Sequence, residues 1–193
     1  MRRRRVAGLL VVLAAIAAAL GFQSTASPPS TAAAPVDRVR GEHRSALGEA
    51  GGALPDRTTV FDDQIPGVAN LDPALRGALR QAASEAAAAG VELYVDSGWR
   101  SPEYQEQLLR EAISKYGSES AAARWVAKPD TSAHVSGDAV DIGPPEAAGW
   151  LSEHGAGYGL CQIYGNEPWH YELRPGGCPP MYADPTHDPR MQQ

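Results

Sequence analysis

The sequence predicts an α+β fold, in which a small antiparallel β-sheet carries helices packed on one side. Short segments with strand-like composition and alternation occur at residues 91–95, 160–164 and 169–173. Capping residues followed by proline open helices after Asp72 and Ser101. The last two strand-like segments are close enough in sequence to form a hairpin.

The helices are predicted from the residues at their ends. Asp72 is a suitable N-cap with Pro73 at the first position, and the alanine-rich run that follows stops at Gly90. Ser101 caps the next helix in the same way. The predicted helices cover residues 73–89, 102–115, 118–127 and 145–154.

Two of the predicted strands carry a polar side chain within the strand or just after its end. Residues 91–95 end at a Ser-Gly-Trp-Arg turn, which places Arg100 at a strand end. Residues 139–142 are apolar apart from Asp141, which is typical of a central strand with one inward carboxylate. Functional side chains on strands would be held more rigidly than on loops.

The N-terminus has the organisation of an export signal. Arg2 to Arg5 form a basic region, and Val6 to Phe22 is an apolar run of about 17 residues. Ser24 and Ala26 suit the −3 and −1 positions of a cleavage site. Residues 1–26 are therefore predicted to be a signal peptide. An uncleaved N-terminal anchor stays open, because the run reaches the lower limit for a spanning helix.

The rest of the chain divides into three parts by composition. Residues 27–54 are rich in Ala, Pro, Ser, Thr and Gly without an apolar period, which predicts a disordered linker. Residues 55–182, about 130 residues, suit a single domain with one core. Residues 183–193 contain two prolines and no apolar pattern, which predicts a flexible tail.

The charge of the chain excludes one class of partner. The formal net charge is −6, and loss of the four arginines at positions 2–5 would leave −10. No basic stripe then remains to bind nucleic acid. Contact with a membrane is expected only through an uncleaved N-terminal segment, and we expect a monomer.

The chain has two cysteines, Cys161 and Cys178. In an exported protein such a pair predicts a disulfide. It would close a loop that contains Glu167 and His170, and so stiffen that segment. Two free thiols are the alternative, and cysteine ligation of a metal is disfavoured because better ligands are present.

Three residues far apart in the sequence predict a zinc site. His134 and Asp141 lie in Ser-Ala-His-Val-Ser-Gly-Asp-Ala-Val-Asp (132–141), and His170 ends Glu-Pro-Trp-His (167–170). Two imidazoles and a carboxylate suit Zn²⁺, and a fourth position left to water is typical of a catalytic site. The first two residues alone are equally compatible with a buried hydrogen-bonded pair, and the third favours the metal.

Three further residues are candidates for chemistry at this site. Glu167 lies three residues before His170 and is a candidate to accept a proton from water, with a solvated glutamate in a turn as the alternative. Arg100 is a candidate to bind a carboxylate or stabilise an oxyanion, and otherwise a surface arginine. Ser132 could donate to the site or to a bound substrate.

These motifs resemble those of the VanY-type D-alanyl-D-alanine carboxypeptidase family of zinc peptidases, which shares its core with lysostaphin-type peptidases and the hedgehog domain. The resemblance rests on Ser-Gly-Trp-Arg-Ser at 97–101, Ser-x-His-x-x-Gly-x-Ala-x-Asp at 132–141 and Glu-x-Trp-His at 167–170. It covers residues 60–174. The family's more usual Tyr in the first motif is Trp99 here, and the cysteine pair is not part of the shared pattern.

The resemblance implies that His134, Asp141 and His170 bind zinc. It also implies that Glu167 is the catalytic base and that Arg100 binds or polarises the substrate. The expected function is that of a secreted or cell-envelope enzyme that removes the terminal D-amino acid from peptidoglycan stem peptides. A peptidoglycan endopeptidase using the same residues is the alternative. A zinc-containing module that only binds is disfavoured, because it needs no base at Glu167.

Overall fold

The computed structural model describes residues 48–192. The predicted signal peptide or anchor and the greater part of the predicted linker lie outside these residues. Within the described part of the chain, no helix is both long and apolar enough to cross a membrane.

The fold is built on a four-stranded antiparallel sheet with the order β1-β2-β4-β3. The hairpin predicted for the last two strands is confirmed. The first strand starts later than predicted, because the Val91 N–H donates to Ala86 O and thereby caps the preceding helix. The strands are β1 (Tyr94–Ser97), β2 (Ala139–Gly143), β3 (Leu160–Gln162) and β4 (His170–Leu173).

The predicted helix starts are confirmed, since Asp72 accepts from the backbone of Ala74 and Ser101 from that of Tyr104. The α-helices of the described residues are α1 (Pro66–Ala69), α2 (Pro73–Ala88), α3 (Pro102–Tyr116), α4 (Glu119–Ala122), α5 (Ala133–Ser136) and α6 (Pro145–His154). Helix α4 is shorter than predicted. Short 3₁₀ helices cover Gly155–Tyr158, Pro185–His187 and Pro189–Gln192.

One face of the sheet is buried against α2 and α6, as predicted. Val140 and Ile142 of β2 share a buried cluster with Leu79 of α2 and Leu151 of α6. Successive side chains of a strand point to opposite faces. Asp141 therefore points away from this core, to the face of the sheet that carries the site described below.

The packed part of the chain begins before the predicted boundary at residue 55. Gly51 and Gly52 are buried, and Gly51 O accepts a 2.8 Å hydrogen bond from the backbone of Ser101. Gly52 has φ +102°, and a Cβ there would lie 2.1 Å from Trp99 O. Only glycine permits this approach, so residues 48–54 belong to the folded domain rather than to the linker.

The prediction of a flexible tail is wrong for residues 183–192, which pack against the domain. Asp184 and Asp188 are 2% and 0% exposed. The Tyr164 hydroxyl donates to Asp188 at 3.0 Å, and Arg124 Nε donates to Asp184 at 2.9 Å. Both partners lie outside the segment, so its own composition could not reveal that it is folded.

Replacing Asp184 by asparagine should destabilise the fold at neutral pH. Burial opposes ionisation, but hydrogen bonds from Thr186, His187 and Arg124 hold the pKa of Asp184 below its ordinary value. Because the folded-state pKa lies below the unfolded value of about 3.9, the stabilisation is present above about pH 4 and lost as the pH falls through the folded pKa.

Denaturant titration should show Asp184→Asn lowering the free energy of unfolding by about 1–3 kcal/mol at pH 7. The difference between the variant and the wild type should shrink below about pH 4. A difference that stays constant across this range would contradict the ionic role of Asp184.

Candidate metal centre

Three of the predicted site residues meet on the sheet face opposite the core. Asp141 of β2 and His170 of β4 are direct partners in the antiparallel register, and His134 comes from α5. Asp141 Oδ1 lies 3.4 Å from His134 Nε2 and 3.1 Å from His170 Nδ1. The three atoms all lie within 4.8 Å of one another, so the structure forms the buried His-Asp-His group that the sequence predicts.

His134 lies on a helical turn, so the expectation that the functional side chains lie on strands is right for Asp141 and His170 but wrong for His134. Helix α5 ends at Gly137, which has φ +82°. A Cβ at Gly137 would lie 2.6 Å from Asn70 O, so glycine is required for this close approach. The tight turn lets the chain enter β2 at once and brings Asp141 beside His134.

The second polar atom of each of these side chains has a partner of its own. The resulting contacts orient the imidazoles and the carboxylate and leave one atom of each directed at the shared centre. They are His134 Nδ1 to Gly98 O (2.8 Å), Arg100 Nη2 to Asp141 Oδ2 (3.0 Å) and His170 Nε2 to Glu172 Oε1 (3.4 Å).

The converging atoms fit Zn²⁺ in kind and in the two spacings that involve Asp141. Imidazole nitrogens and carboxylate oxygens bind zinc at about 2.0–2.2 Å, which places two tetrahedral ligand atoms about 3.4 Å apart. The observed separations from Asp141 Oδ1, 3.4 and 3.1 Å, are close to this value. Three protein ligands with a fourth position left open are typical of a catalytic zinc site.

The electrostatics of the group also favour a cation. Burial and the Arg100 charge lower the pKa of His134. Burial opposes ionisation of Asp141, but the two imidazoles and Arg100 hold its pKa well below the ordinary value. For His170, hydrogen bonds to Asp141 and Glu172 overcome burial and raise the pKa to about 9. The same negative surroundings that favour a proton on His170 would favour a metal ion there.

Glu167 is buried beside this group rather than solvated in a turn. It is 6% exposed, and its Oε2 lies 3.9 Å from His170 Nδ1. Burial raises the pKa of Glu167 to about 7, against the lowering effect of His170. A carboxylate with a pKa near the working pH can both accept and return a proton.

Arg100 is held inside the site and is not a surface arginine. Its guanidinium donates from Nε to Ser97 Oγ at 2.7 Å, from Nη1 to Gln105 Oε1 at 3.0 Å and from Nη2 to Asp141. Gln105 is itself buried, and its amide donates to Ala127 O at 2.9 Å. Gln105 could not be identified from the sequence, since a glutamine in the first turn of a helix carries no signal for this contact.

The group opens into a cleft with a volume of about 230 Å³. Trp125 and Trp169 line it together with Met191 of the C-terminal segment. Ser132 also lines the cleft, and although it precedes α5 its side chain makes no capping hydrogen bond. The structure therefore brings Ser132, Arg100 and Glu167 together around one cleft.

The predicted disulfide between Cys161 and Cys178 is present, with a Cα–Cα distance of 5.3 Å. Cys161 lies on β3, and Cys178 follows β4. The bridge closes a loop with a sequence separation of 17, which includes Glu167 and His170.

Replacing both cysteines by serine should lower the free energy of unfolding by about 3 kcal/mol, because a loop of this length becomes free in the unfolded chain. Denaturant unfolding of the oxidised wild type and the double variant measures the difference. Two freely alkylatable thiols in the non-reduced exported protein would contradict the pairing.

A buried His-Asp-His group with an open side and an adjacent buried glutamate is the arrangement typical of zinc-dependent hydrolases. The family model for VanY, D-alanyl-D-alanine carboxypeptidase, matches residues 69–175, which is more than half of the chain. The chain belongs to the VanY D-alanyl-D-alanine carboxypeptidase family.

Individual relatives agree with this assignment. A D-alanyl-D-alanine carboxypeptidase of Enterococcus faecalis (strain ATCC 700802 / V583) is 32% identical over 61% of this chain. The match covers 53% of that protein, so the chain spans about half the length of this curated relative.

Two solved structures confirm the predicted fold, and the first of them, which contains Zn(II), confirms the predicted cofactor. A variant of the vancomycin resistance D,D-pentapeptidase VanY in complex with Zn(II) is 31% identical, with a TM-score of 0.51 over 53% of this chain and 72% of that chain. VanYB in complex with D-alanine-D-alanine is 30% identical, with a TM-score of 0.51 over 53% of this chain and 71% of that chain.

Proposed function

We propose that this chain is an exported zinc carboxypeptidase that removes the terminal D-amino acid from peptidoglycan stem peptides. The observation that carries the proposal is the convergence of His134, Asp141 and His170 beside the buried Glu167. The family membership and the relative's complex with D-alanine-D-alanine support the substrate class. The disulfide supports a secreted or cell-envelope location, since such bonds persist in oxidising compartments.

In this proposal His134 Nε2, Asp141 Oδ1 and His170 Nδ1 hold the zinc ion. Bound zinc supplies Lewis-acid chemistry, in that it lowers the pKa of water to about 7 and polarises a carbonyl. Arg100 and Gly98 O keep the Asp141 and His134 side chains in the orientation that binding requires.

Glu167 acts as general acid and base. Its carboxylate accepts the proton of the attacking water and then returns it to the departing amine. The side chain is 8% exposed, so few water molecules compete for this proton transfer. The backbone N–H of His170 donates to Glu167 O at 3.0 Å, which fixes the base relative to the ligand.

Arg100 and Ser132 position the substrate. Arg100 is the only arginine or lysine among the described residues that line the cleft. A guanidinium has five N–H groups, and three of its hydrogen bonds go to Ser97, Gln105 and Asp141. The remaining N–H groups can bind an oxyanion or the terminal carboxylate, and the Ser132 hydroxyl can donate beside them.

A peptidoglycan endopeptidase is the second candidate, because a neighbouring cavity could hold more of a longer substrate. That cavity has a volume of about 600 Å³ and shares Val126, Ala127, Pro185 and Met191 with the cleft. The same catalytic residues would serve both reactions.

The deciding experiment assays the folded protein on a pentapeptide ending in D-Ala-D-Ala and, in parallel, on intact cross-linked peptidoglycan. Release of D-alanine from the pentapeptide, lost with chelator and restored by zinc, is the expected result. Cleavage of cross-links without D-alanine release would establish the endopeptidase instead. Zinc-dependent binding of the pentapeptide without turnover of either substrate would indicate a binding module.

A further inference from the structure

Glu172 is a buried carboxylate behind one of the proposed ligands. It lies two residues after His170 on β4, and the alternation of the strand places both side chains on the same face of the sheet. Glu172 is 0% exposed, and its Oε1 lies 3.4 Å from His170 Nε2. The proposed reaction assigns no role to this charge.

The C-terminal segment (residues 184–192) holds this carboxylate through Arg190. Arg190 donates from Nη1 to Glu172 Oε2 at 2.8 Å and from Nη2 to Glu172 Oε1 at 3.1 Å. Arg190 Nε donates in turn to Asp188 at 2.9 Å, and the Tyr164 hydroxyl donates to the same Asp188 carboxylate at 3.0 Å. Arg174 also contacts Glu172.

The chemistry of a neutral imidazole connects these contacts to the metal. One ring nitrogen carries the proton, and the other has the lone pair that binds a metal. A carboxylate that accepts the Nε2–H of His170 therefore directs the lone pair to Nδ1, the atom facing Asp141. It also increases the electron density available to a metal ion at Nδ1.

We propose that Glu172 is a positioning residue for His170, and that the C-terminal segment supports the metal centre by clamping Glu172 with Arg190. The inference rests on the zinc ligands assigned above. It places a determinant of metal affinity in residues 184–192, beyond the part of the chain that the family model matches.

The test is the zinc affinity of the purified protein, measured by competition with a chromophoric chelator. Glu172→Gln should weaken zinc binding about 10- to 100-fold, the range typical of lost outer-shell partners. Glutamine carries no charge and keeps one acceptor oxygen with two lone pairs, so it cannot accept from all four of the N–H groups of Arg174, Arg190 and His170 that contact Glu172. Arg190→Gln should weaken binding about 10-fold, although Arg190 is not among the proposed ligands.

The double variant shows whether the two residues act through one route. Arg190→Gln should add little to the loss in zinc affinity already caused by Glu172→Gln, because its effect passes through that residue. Cobalt-substituted protein offers a second readout, since a changed ligand field at His170 should shift the visible absorption bands in both single variants.

Arg80→Gln is the matched control, because it removes an arginine that pairs with Asp63, away from the cleft. Its zinc affinity should equal that of the wild type.

Folded Glu172→Gln and Arg190→Gln variants with zinc affinities within twofold of wild type would overturn the inference. If Glu172→Gln does not fold, Arg190→Gln alone decides, since it leaves Glu172 in contact with Arg174. Unchanged zinc binding in His134→Ala would instead reject the ligand assignment itself.

Discussion

Replacing Glu167 by glutamine should lower turnover of the pentapeptide by at least about 10²- to 10⁴-fold, the usual contribution of general acid–base catalysis. Glutamine keeps the shape of the side chain but cannot accept a proton from water or return it to the leaving amine. Zinc content should stay close to one ion per chain, because Glu167 is not a proposed ligand. Steady-state kinetics and metal analysis of the same preparation measure both quantities.

Glu153→Gln is a suitable control for this substitution, since Glu153 is exposed on α6. It should turn over substrate at the wild-type rate. A Glu167→Gln protein that retains zinc and cleaves the pentapeptide at a near wild-type rate would show that the assigned base is wrong. Loss of zinc together with activity would point to a role for Glu167 in binding the metal.

Replacing His134 by alanine should remove both the metal and the activity. The variant keeps only two of the three converging ligand atoms, and a catalytic zinc site typically needs three protein ligands. Zinc affinity should fall by more than the roughly 10- to 100-fold expected when an outer-shell partner is lost. Metal analysis after dialysis and the pentapeptide assay should change together.

The control here is His154→Ala, which removes an exposed histidine at the end of α6. This variant should retain one zinc ion and full activity. Circular dichroism distinguishes loss of the ligand from loss of the fold, since α5 is a single turn and the core cluster does not include His134. Full metal content in folded His134→Ala would contradict the proposed ligand set.

Local sequence signals were sufficient for most of the helices and strands. The Asp72 and Ser101 caps determine where α2 and α3 begin, because each side chain satisfies a backbone N–H within the first turn. The position of the first strand was less predictable. Val91 was expected to begin the strand, but its N–H donates to the last turn of α2 instead. The alternation of residues 91–95 carries no signal for this hydrogen bond.

The orientation of the site residues could not be predicted from local patterns. Gly98 O and His134 Nδ1 are 36 positions apart in sequence, and Arg100 and Asp141 are 41 apart. Contacts between residues this far apart leave no periodic pattern in the sequence from which they could be predicted. The same reason explains why the C-terminal segment was predicted to be flexible. Its Asp188 is bound by Tyr164 and its Arg190 binds Glu172. Both partners lie in or beside the sheet, outside the segment.

The sequence by itself determined which chemistry is available to this protein, because the donor atoms of a metal site are properties of residue types. Two histidines, an aspartate and a glutamate in the spacing of a known family were enough to predict zinc and a peptidase class. The tertiary structure alone decided which atom of each side chain faces the centre. It also places Glu172 against His170 and Arg190 against Glu172. Distances and orientations depend on packing between elements remote in sequence, so only the folded chain specifies them.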